Sequence, residues 1–251
     1  MQSYLISLLL FTPLVAVLAG LFIPAAKEQA FKWLALLVSV FQVVVLLQMT
    51  LNYSFEQGFQ LIERTDWITL QLGSLGVLKA EYFVGVDGLS FPLVAMAVLV
   101  TLLAVISSWY ITKQIKGYFL LFLTLNAAVI GTFTALDFLL FYLCFEFMLL
   151  PMFFLIAIWG GPRREYASIK FFLYTLVGSI LILIVMIGLY ISHQQAGTFV
   201  HSFDLLSMVN PANYAADSIL NPQSGWTIGS LHAREWAFLF LFFGFAIKLP
   251  M

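Results

Sequence analysis

The chain has 251 residues, of which 63% are hydrophobic and 9% are charged, and its formal net charge is −1. Soluble domains carry about 25% charged residues, so this composition indicates an integral membrane protein. The near-zero charge argues against a nucleic-acid partner, and the single cysteine, Cys144, excludes an internal disulfide and an iron–sulfur cluster.

Long segments without Asp, Glu, Lys or Arg follow one another along the chain. A membrane-crossing helix needs about 20 apolar residues, and on this criterion about seven spans are predicted. They are residues 1–26, 33–55, 88–112, 117–136, 138–162, about 168–191, and from Trp236 onward. The predicted fold class is therefore all-α, a polytopic transmembrane helix bundle.

Basic residues accumulate on alternate connections between these spans. The first, third and fifth connections with their flanks carry seven Lys or Arg and two acids, whereas the second, fourth and sixth carry three and nine. By the positive-inside rule, the N-terminus lies outside and the odd-numbered connections are cytoplasmic.

The two long loops on the predicted outer side are residues 56–84 and 192–235. In the first, polar and apolar side chains alternate over residues 67–72, turn-forming residues follow, and residues 77–84 again favour a strand, which predicts a β-hairpin. The second loop is predicted to hold a short interfacial helix at about residues 202–209. The three histidines lack ligand spacing, which disfavours a metal site.

Of the 23 Asp, Glu, Lys and Arg residues, only Glu146 and Lys248 lie away from the ends of the predicted spans and the loops between them. A charge at the centre of a membrane helix costs about 2.5–3.5 kcal/mol on insertion scales, so such groups are rare and usually mark ion pathways. Burial favours the neutral forms of both groups, and approach of the two favours the charged forms. A Glu–Lys pair of this kind is therefore a tunable proton site.

Prolines accompany both residues. Pro151 removes the helical N–H donor of the Phe147 carbonyl, directly beside Glu146. Pro250 is expected to break or kink the last helix just beyond Lys248, and broken helices are where transporters place ion sites. The structural alternatives are a Glu146 satisfied by a neighbouring helix and a Lys248 that anchors the cytoplasmic end of its helix.

Two other charged residues have simpler explanations. Lys170 stands at the cytoplasmic start of the sixth span, where snorkelling to the interface accounts for it, and a role in loading protons is the alternative. Asp87 precedes the third helix and is predicted to cap its first amides.

Several segments carry a family resemblance. They are residues 84–90 (VGVDGLS), Phe145–Glu146 with Pro151, residues 159–164 (WGGPRR), residues 170–179 (KFFLYTLVGS) and residues 243–251 (FGFAIKLPM). Through them the chain resembles subunit M of bacterial respiratory complex I, the NADH:quinone oxidoreductase. The resemblance implies an antiporter-like, proton-translocating subunit in which Glu146 matches the fifth-helix glutamate and Lys248 the lysine of a broken seventh helix.

The resemblance also implies the setting of the chain. It would be one subunit of an oxidoreductase of the respiratory chain, multi-pass in the bacterial inner membrane, with the sister subunits L and N and membrane lipids as partners. No cofactor is expected in this chain, and NADH, flavin, iron–sulfur clusters and quinone would belong to partner subunits. Family members continue for about as many residues again, so residues 1–251 are expected to form the N-terminal part of one antiporter-like domain, ending inside the seventh span.

Two other functions stay open at this point. A subunit of an Mrp-type Na⁺/H⁺ antiporter also carries a paired Glu and Lys, although the block from residue 159 to residue 179 favours subunit M. A non-transporting, truncated fragment is the third possibility.

Overall fold

The structure is a computed structural model, and it describes residues 4–54, 58–71, 77–194, 200–221 and 224–248. The helices are α1 (Leu5–Phe22), α2 (Glu28–Asn52), α3 (Ser90–Ser107), α4 (Ile115–Thr134), α5 (Phe138–Phe147), α6 (Leu149–Trp159), α7 (Arg164–Ser192), α8 (Leu205–Met208) and α9 (Ala233–Lys248). The strands are β1 (Gln60–Gln71), β2 (Val77–Val86), β3 (Val200–Ser202), β4 (Thr227–Ile228) and β5 (Leu231–His232). Short 3₁₀ turns lie at Ser108–Tyr110 and Pro211–Asn213.

Six helical segments of the described chain are long and apolar enough to cross a membrane: α1, α2, α3 with its 3₁₀ turn, α4, α5 with α6, and α7. The prediction of an all-α, multi-span protein is therefore confirmed. The seventh predicted span corresponds to α9, whose 16 described residues extend about 24 Å at 1.5 Å per residue. Because residues 249–251 lie outside the described chain, the seventh crossing stays a prediction, as does the orientation.

The chain forms two compact units, and the first comprises residues Met1–Glu63, Val84–Ala135 and Leu143–Ile169. Its core joins α1 to α4 and includes Phe31, Phe119 and Leu123, all less than 2% exposed. A Cβ atom on Gly131 would lie 2.5 Å from the Cys144 sulfur, so only glycine permits this close approach of α4 to α5.

The second unit comprises residues Arg64–Phe83, Leu136–Tyr142 and Lys170–Met251. It contains most of a three-stranded sheet in the order β1-β2-β3. The predicted hairpin is confirmed in its two strands, while its turn, residues 73–76, lies outside the described residues. The third strand was not predicted: β3 pairs in parallel with β2, with Val77 opposite Val200 and Lys79 opposite Ser202. The predicted interfacial helix is present as α8, only four residues long.

Two glycines bring α7 and α9 together inside the second unit. A Cβ atom on Gly244 would lie 2.6 Å from the Ile182 side chain and 2.8 Å from the Gly178 carbonyl oxygen, and one on Gly178 would lie 3.1 Å from Ile247. Such small residues permit the close helix packing that is typical of membrane bundles. The contacts also show that the two helices run antiparallel.

Candidate functional site

Glu146 lies next to a break in its membrane helix. α5 ends at Phe147, Met148 is a turn, and α6 begins at Leu149 with Pro151 in its first turn. Proline has no N–H to donate to the carbonyl four residues earlier, which accounts for an interruption at this position. The interruption lies two residues after Glu146, and the missing donor to the Phe147 carbonyl stays a prediction.

The exposure of its neighbours shows where Glu146 stands on this segment. Phe145 and Leu149 are buried, at 8% and 5% exposure, whereas Phe147 and Leu150 are 51% and 53% exposed. Glu146 is half-buried between these two sides. Its carboxylate is thus at the boundary between the packed and the exposed surfaces of the helix.

Lys248 is the last described residue of α9 and is half-buried. It lies four residues after Gly244, and residues four apart share one face of a helix. Because Gly244 packs against α7, Lys248 lies on the face of α9 that is turned toward α7. The helix break expected at Pro250 falls outside the described residues.

α7 presents a stripe of hydroxyl groups on its buried side. Ser168, Thr175 and Ser179 are each less than 5% exposed, and their spacing places them on one helix face. Each hydroxyl donates a hydrogen bond to a carbonyl of its own helix, at 2.7–2.9 Å. Sequence inspection did not single them out, since isolated Ser and Thr residues carry little signal in an apolar segment.

Lys170 is exposed on the first part of α7, six residues after the helix begins at Arg164. This exposure agrees with the snorkelling explanation and leaves a loading role as a prediction. Glu146 belongs to the first compact unit, and Lys170 and Lys248 belong to the second. The predicted pairing of Glu146 with Lys248 therefore stays a prediction.

A cluster of charged residues that the sequence analysis did not single out surrounds the sheet of the second unit. This ionic network consists of Arg64, Asp66, Lys79, Glu81, Asp137 and Asp204. The Arg64 guanidinium lies 2.5 Å from a Glu81 carboxylate oxygen and 3.1 Å from one of Asp204. The Lys79 ammonium lies 2.5 Å from Glu81 and 3.0 Å from Asp66. The Glu81 side chain is only 4% exposed, so these two cations compensate its charge.

These contacts shift the pKa values of two groups in the network, Lys79 and Asp66. The hydrogen bond to Glu81 is the main cause that raises the pKa of Lys79, and the hydrogen bond from Lys79 is the main cause that lowers the pKa of Asp66. A pattern in the sequence contained part of this information. Arg64 and Asp66 are two residues apart, as are Lys79 and Glu81, and side chains at that spacing share one face of a strand.

Asp137 connects the network to the helix that carries Glu146. Its carboxylate accepts hydrogen bonds from the amide of Glu81 at 3.1 Å and from the amide of Leu140 in the first turn of α5 at 2.9 Å. The residue is 1% exposed, and this burial raises the pKa of the carboxyl group. Asp137 thus caps α5 from a site where its own ionisation is unfavourable.

His193 follows the C-terminal end of α7 and is completely buried, at 0% exposure. Its Nε2 atom lies 2.9 Å from the Ser207 hydroxyl, and its ring meets Tyr214 edge to face at 5.9 Å. Its Nδ1 atom has no hydrogen-bond partner within the described residues. Burial lowers the pKa of this imidazole.

Asp87 behaves as predicted. Its carboxylate accepts hydrogen bonds from the amides of Ser90 at 2.7 Å and Leu89 at 3.2 Å, at the start of α3. The hydrogen bond from Ser90 is the largest cause that lowers the pKa of Asp87. No group of three or more potential metal ligands is found in the part of the chain that the structure describes.

Comparison with known proteins gives a consistent result. Residues 135–251 match the family described as "NADH:quinone oxidoreductase/Mrp antiporter, TM". The chain is 36% identical over 253 residues to the NADH-quinone oxidoreductase subunit M of Rhodobacter capsulatus, covering 98% of this chain and 46% of that protein. It is 35% identical to the subunit M of Rickettsia prowazekii, with the same shares covered. The chain thus spans about half the length of these curated relatives.

Solved structures show the same likeness. A chain of the respiratory complex I from Thermus thermophilus with bound NADH is 25% identical, with a TM-score of 0.67, and the match covers 98% of this chain and 44% of that chain. An archaeal membrane-bound sulfane sulfur reductase, at 21% identity and a TM-score of 0.56, covers 78% of this chain and 28% of that chain. This second likeness concerns the fold alone.

Proposed function

We propose that the chain moves protons as part of a complex I membrane subunit. The resemblance to subunit M is confirmed, and residues 135–251 match the NADH:quinone oxidoreductase/Mrp antiporter membrane family. Electron transfer from NADH to quinone would drive this movement from other subunits. The observation that carries the proposal is that both intramembrane charges, Glu146 and Lys248, fall inside the matched segment.

Glu146 is proposed as the carboxyl group that alternately binds and releases the translocated proton. A carboxylate in hydrocarbon favours its neutral form, and a nearby cation favours its ionised form. Pro151 also lacks the N–H that would otherwise bond the Phe147 carbonyl, directly beside Glu146. These features give the carboxyl group a polar surrounding within an otherwise apolar segment.

Lys248 is proposed as the charge partner that shifts the proton affinity of the site. Ile247 packs at Gly178 in the antiparallel contact of α9 with α7, so Lys248 lies within about one helical turn of Gly178. Thr175 and Ser179 flank that position and belong to the hydroxyl stripe of α7. The stripe starts at Ser168, near the N-terminal end of α7 and about 17 Å from Ser179 along the helix axis. It therefore places hydroxyl groups between the start of α7 and the position of Gly178.

Lys170, exposed near the predicted cytoplasmic end of α7, is proposed to attract protons to this stripe or to exchange them there. NADH, flavin, iron–sulfur clusters and quinone are assigned to partner subunits. The sister subunits L and N, membrane lipids and the bacterial inner membrane complete the proposed setting.

An Mrp-type Na⁺/H⁺ antiporter subunit is the second candidate, because the matched family includes such proteins by its description. The relatives named subunit M, at 34–36% identity over 98% of the chain, favour complex I. The two functions differ in their ion. Transport that requires Na⁺ and persists without NADH would favour the antiporter.

The central test is Glu146→Gln in the assembled membrane complex, which keeps the shape and removes the titratable group. We expect NADH oxidation to continue while proton translocation falls tenfold or more, since a proton-transfer group contributes roughly 10²–10⁴-fold to the rate of such steps. The measurement is acidification inside inverted membrane vesicles, with Glu165→Gln, an exposed acid at the start of α7, as the matched control. Undiminished translocation by an assembled Glu146→Gln complex would reject the proposal.

A further inference from the structure

The buried imidazole of His193 has one nitrogen without a partner among the described residues. If Nε2 carries the proton, it donates to Ser207, and Nδ1 is a free lone pair. If the Ser207 hydroxyl donates to Nε2 instead, Nδ1 carries a proton without an acceptor. Either tautomer leaves Nδ1 without a partner among the described residues, and an unsatisfied buried polar atom destabilises the folded state.

A structural explanation accounts only for Nε2. Buried side-chain polar atoms in native proteins are nearly always hydrogen-bonded, and exceptions call for a specific reason. A histidine that serves packing and anchoring alone would be expected to use both nitrogens. At His193 the ring is held on one edge by Ser207 and packed against Tyr214, while Nδ1 on the other edge is buried and has no hydrogen-bond partner among the described residues.

We propose that His193 is a proton-exchange residue on the predicted outer side of this chain, held by Ser207 through Nε2 and taking up and releasing protons at Nδ1. The proposal rests on the proposed function in one respect, the net direction in which protons pass. Exchange of protons at His193 itself does not depend on that function.

The exchange is balanced without any other co-reactant. A hydronium ion or a water molecule that reaches the buried ring from the predicted outer side gives a proton to the Nδ1 lone pair, and the ring becomes an imidazolium whose Nε2–H donates to Ser207. The Nδ1–H bond then breaks, and the proton passes to water while the ring returns to its neutral form. No group of the chain is oxidised or reduced.

The surroundings of His193 oppose and favour the charge in different ways. Desolvation and the neighbouring His201 disfavour the imidazolium, whereas the Asp204 carboxylate favours it. The position after the C-terminus of α7 is also favourable, because the helix dipole stabilises a cation there. The other titratable or charged groups around the site are Tyr190, Tyr214 and Arg234.

A continuous set of polar contacts leads from His193 to exposed groups. Ser207 contacts Nε2 of His193, and its amide donates to Asp204 at 3.1 Å. Asp204 pairs with Arg64, and the ionic network continues through Glu81 and Lys79 to Asp66, whose side chain is 71% exposed. A positive charge that forms on His193 is therefore compensated by a network of charged groups that extends to the protein surface.

The first test is a pH titration of the imidazoles by NMR, using ¹⁵N-histidine in the full chain within its membrane complex. The chain has three histidines, so the single variants His193→Gln, His201→Gln and His232→Gln identify its three signals, each as the signal that one variant removes from the spectrum of the complex. We expect His193 to titrate at a lower pH than an ordinary histidine, because burial lowers its pKa, and Asp204→Asn to move its midpoint further down. An imidazole that stays neutral and unshifted from about pH 8 to pH 4 would overturn the proposal.

The second test measures proton translocation against the pH of the outer side. We expect His193→Gln, which retains a hydrogen bond to Ser207, to reduce translocation about tenfold, while the exposed control His232→Gln leaves it unchanged. Full translocation in His193→Gln together with loss in Glu146→Gln would overturn the inference and leave the proposed function standing. Full translocation in both would reject the proposed function, and the NMR titration would still decide whether His193 exchanges protons.

Discussion

The α1–α4 bundle and the ionic network both bury polar side chains, but of different kinds. In the bundle, the Asn126 amide donates to Gln42 at 2.7 Å, Gln42 donates to the Leu9 carbonyl at 3.0 Å, and the Thr101 hydroxyl donates to Asn126 at 3.2 Å. None of these groups ionises. The network around the sheet is built from carboxylates, a guanidinium and an ammonium.

The difference indicates what each region is suited to do. Amides and hydroxyls that satisfy one another connect four helices in hydrocarbon without any net charge, so their energy is independent of pH. Buried charges need compensation from every side, and their energy changes whenever one of them binds a proton. The bundle therefore behaves as a fixed scaffold, whereas the network is able to respond to protons.

The largest effect is expected from removing the central cation of the network. Arg64→Met leaves Glu81, which is 4% exposed, and Asp204 without their shared partner. Breaking a fully buried ion pair costs about 3–5 kcal/mol; because the Arg64 side chain is 44% exposed, we expect about 2–3 kcal/mol. Unfolding by SDS in mixed micelles measures the loss.

Arg64→Lys is the matched control for this experiment. It keeps the positive charge but cannot reach both carboxylates with a planar fork, so an intermediate loss is expected. The loss in Arg64→Met should also shrink as the pH falls and the carboxylates become protonated. A loss that is equal for Met and Lys, and constant with pH, would mean that charge compensation is not what Arg64 supplies.

The uncharged chain of the bundle should be less sensitive. Asn126→Leu leaves the Gln42 carbonyl oxygen and the Thr101 hydroxyl without this partner, and we expect a loss of about 1–2 kcal/mol. The loss should be the same at pH 5 and pH 8, in contrast to the loss in Arg64→Met. Thr124→Val, which removes a hydroxyl that bonds only the Leu120 carbonyl of its own helix, is the control and should cost a few tenths of a kcal/mol.

The contrast also shows what sequence analysis is able to predict. The cap at α3 followed from Asp87, and Pro151 accounts for the interruption at Met148, because both effects are local in the chain. The hairpin followed from alternation of side chains along two neighbouring segments. In each case the residues that determine the structure are only a few positions apart.

Long-range partners were the part that the sequence did not reveal. Gln42 and Asn126 are 84 residues apart, and Arg64 meets Asp204 only because the second loop returns to the sheet as β3 and α8. His193 gave no signal, since its significance depends on burial and on an open nitrogen rather than on spacing. The proposed pairing of Glu146 with Lys248 is of the same long-range kind, and it rests on the position of both charges in apolar segments and on family resemblance.

The smallest change in stability is expected from Asp87, and its dependence on pH has a definite direction. It is an ionisable group used as a cap, so it combines the charge of the network with the fixed role of the bundle. Its folded pKa lies below the ordinary value of 3.8, so its contribution is complete above that pH and is lost as the pH falls through the folded pKa. Asp87→Asn should therefore cost only a few tenths of a kcal/mol at pH 7, because asparagine also caps helices well, and nothing at an acidic pH below the folded pKa. SDS unfolding at the two pH values measures the difference, with the exposed Asp217→Asn as control. A cost that persists unchanged at the acidic pH would show that the carboxylate charge does not act on the first turn of α3.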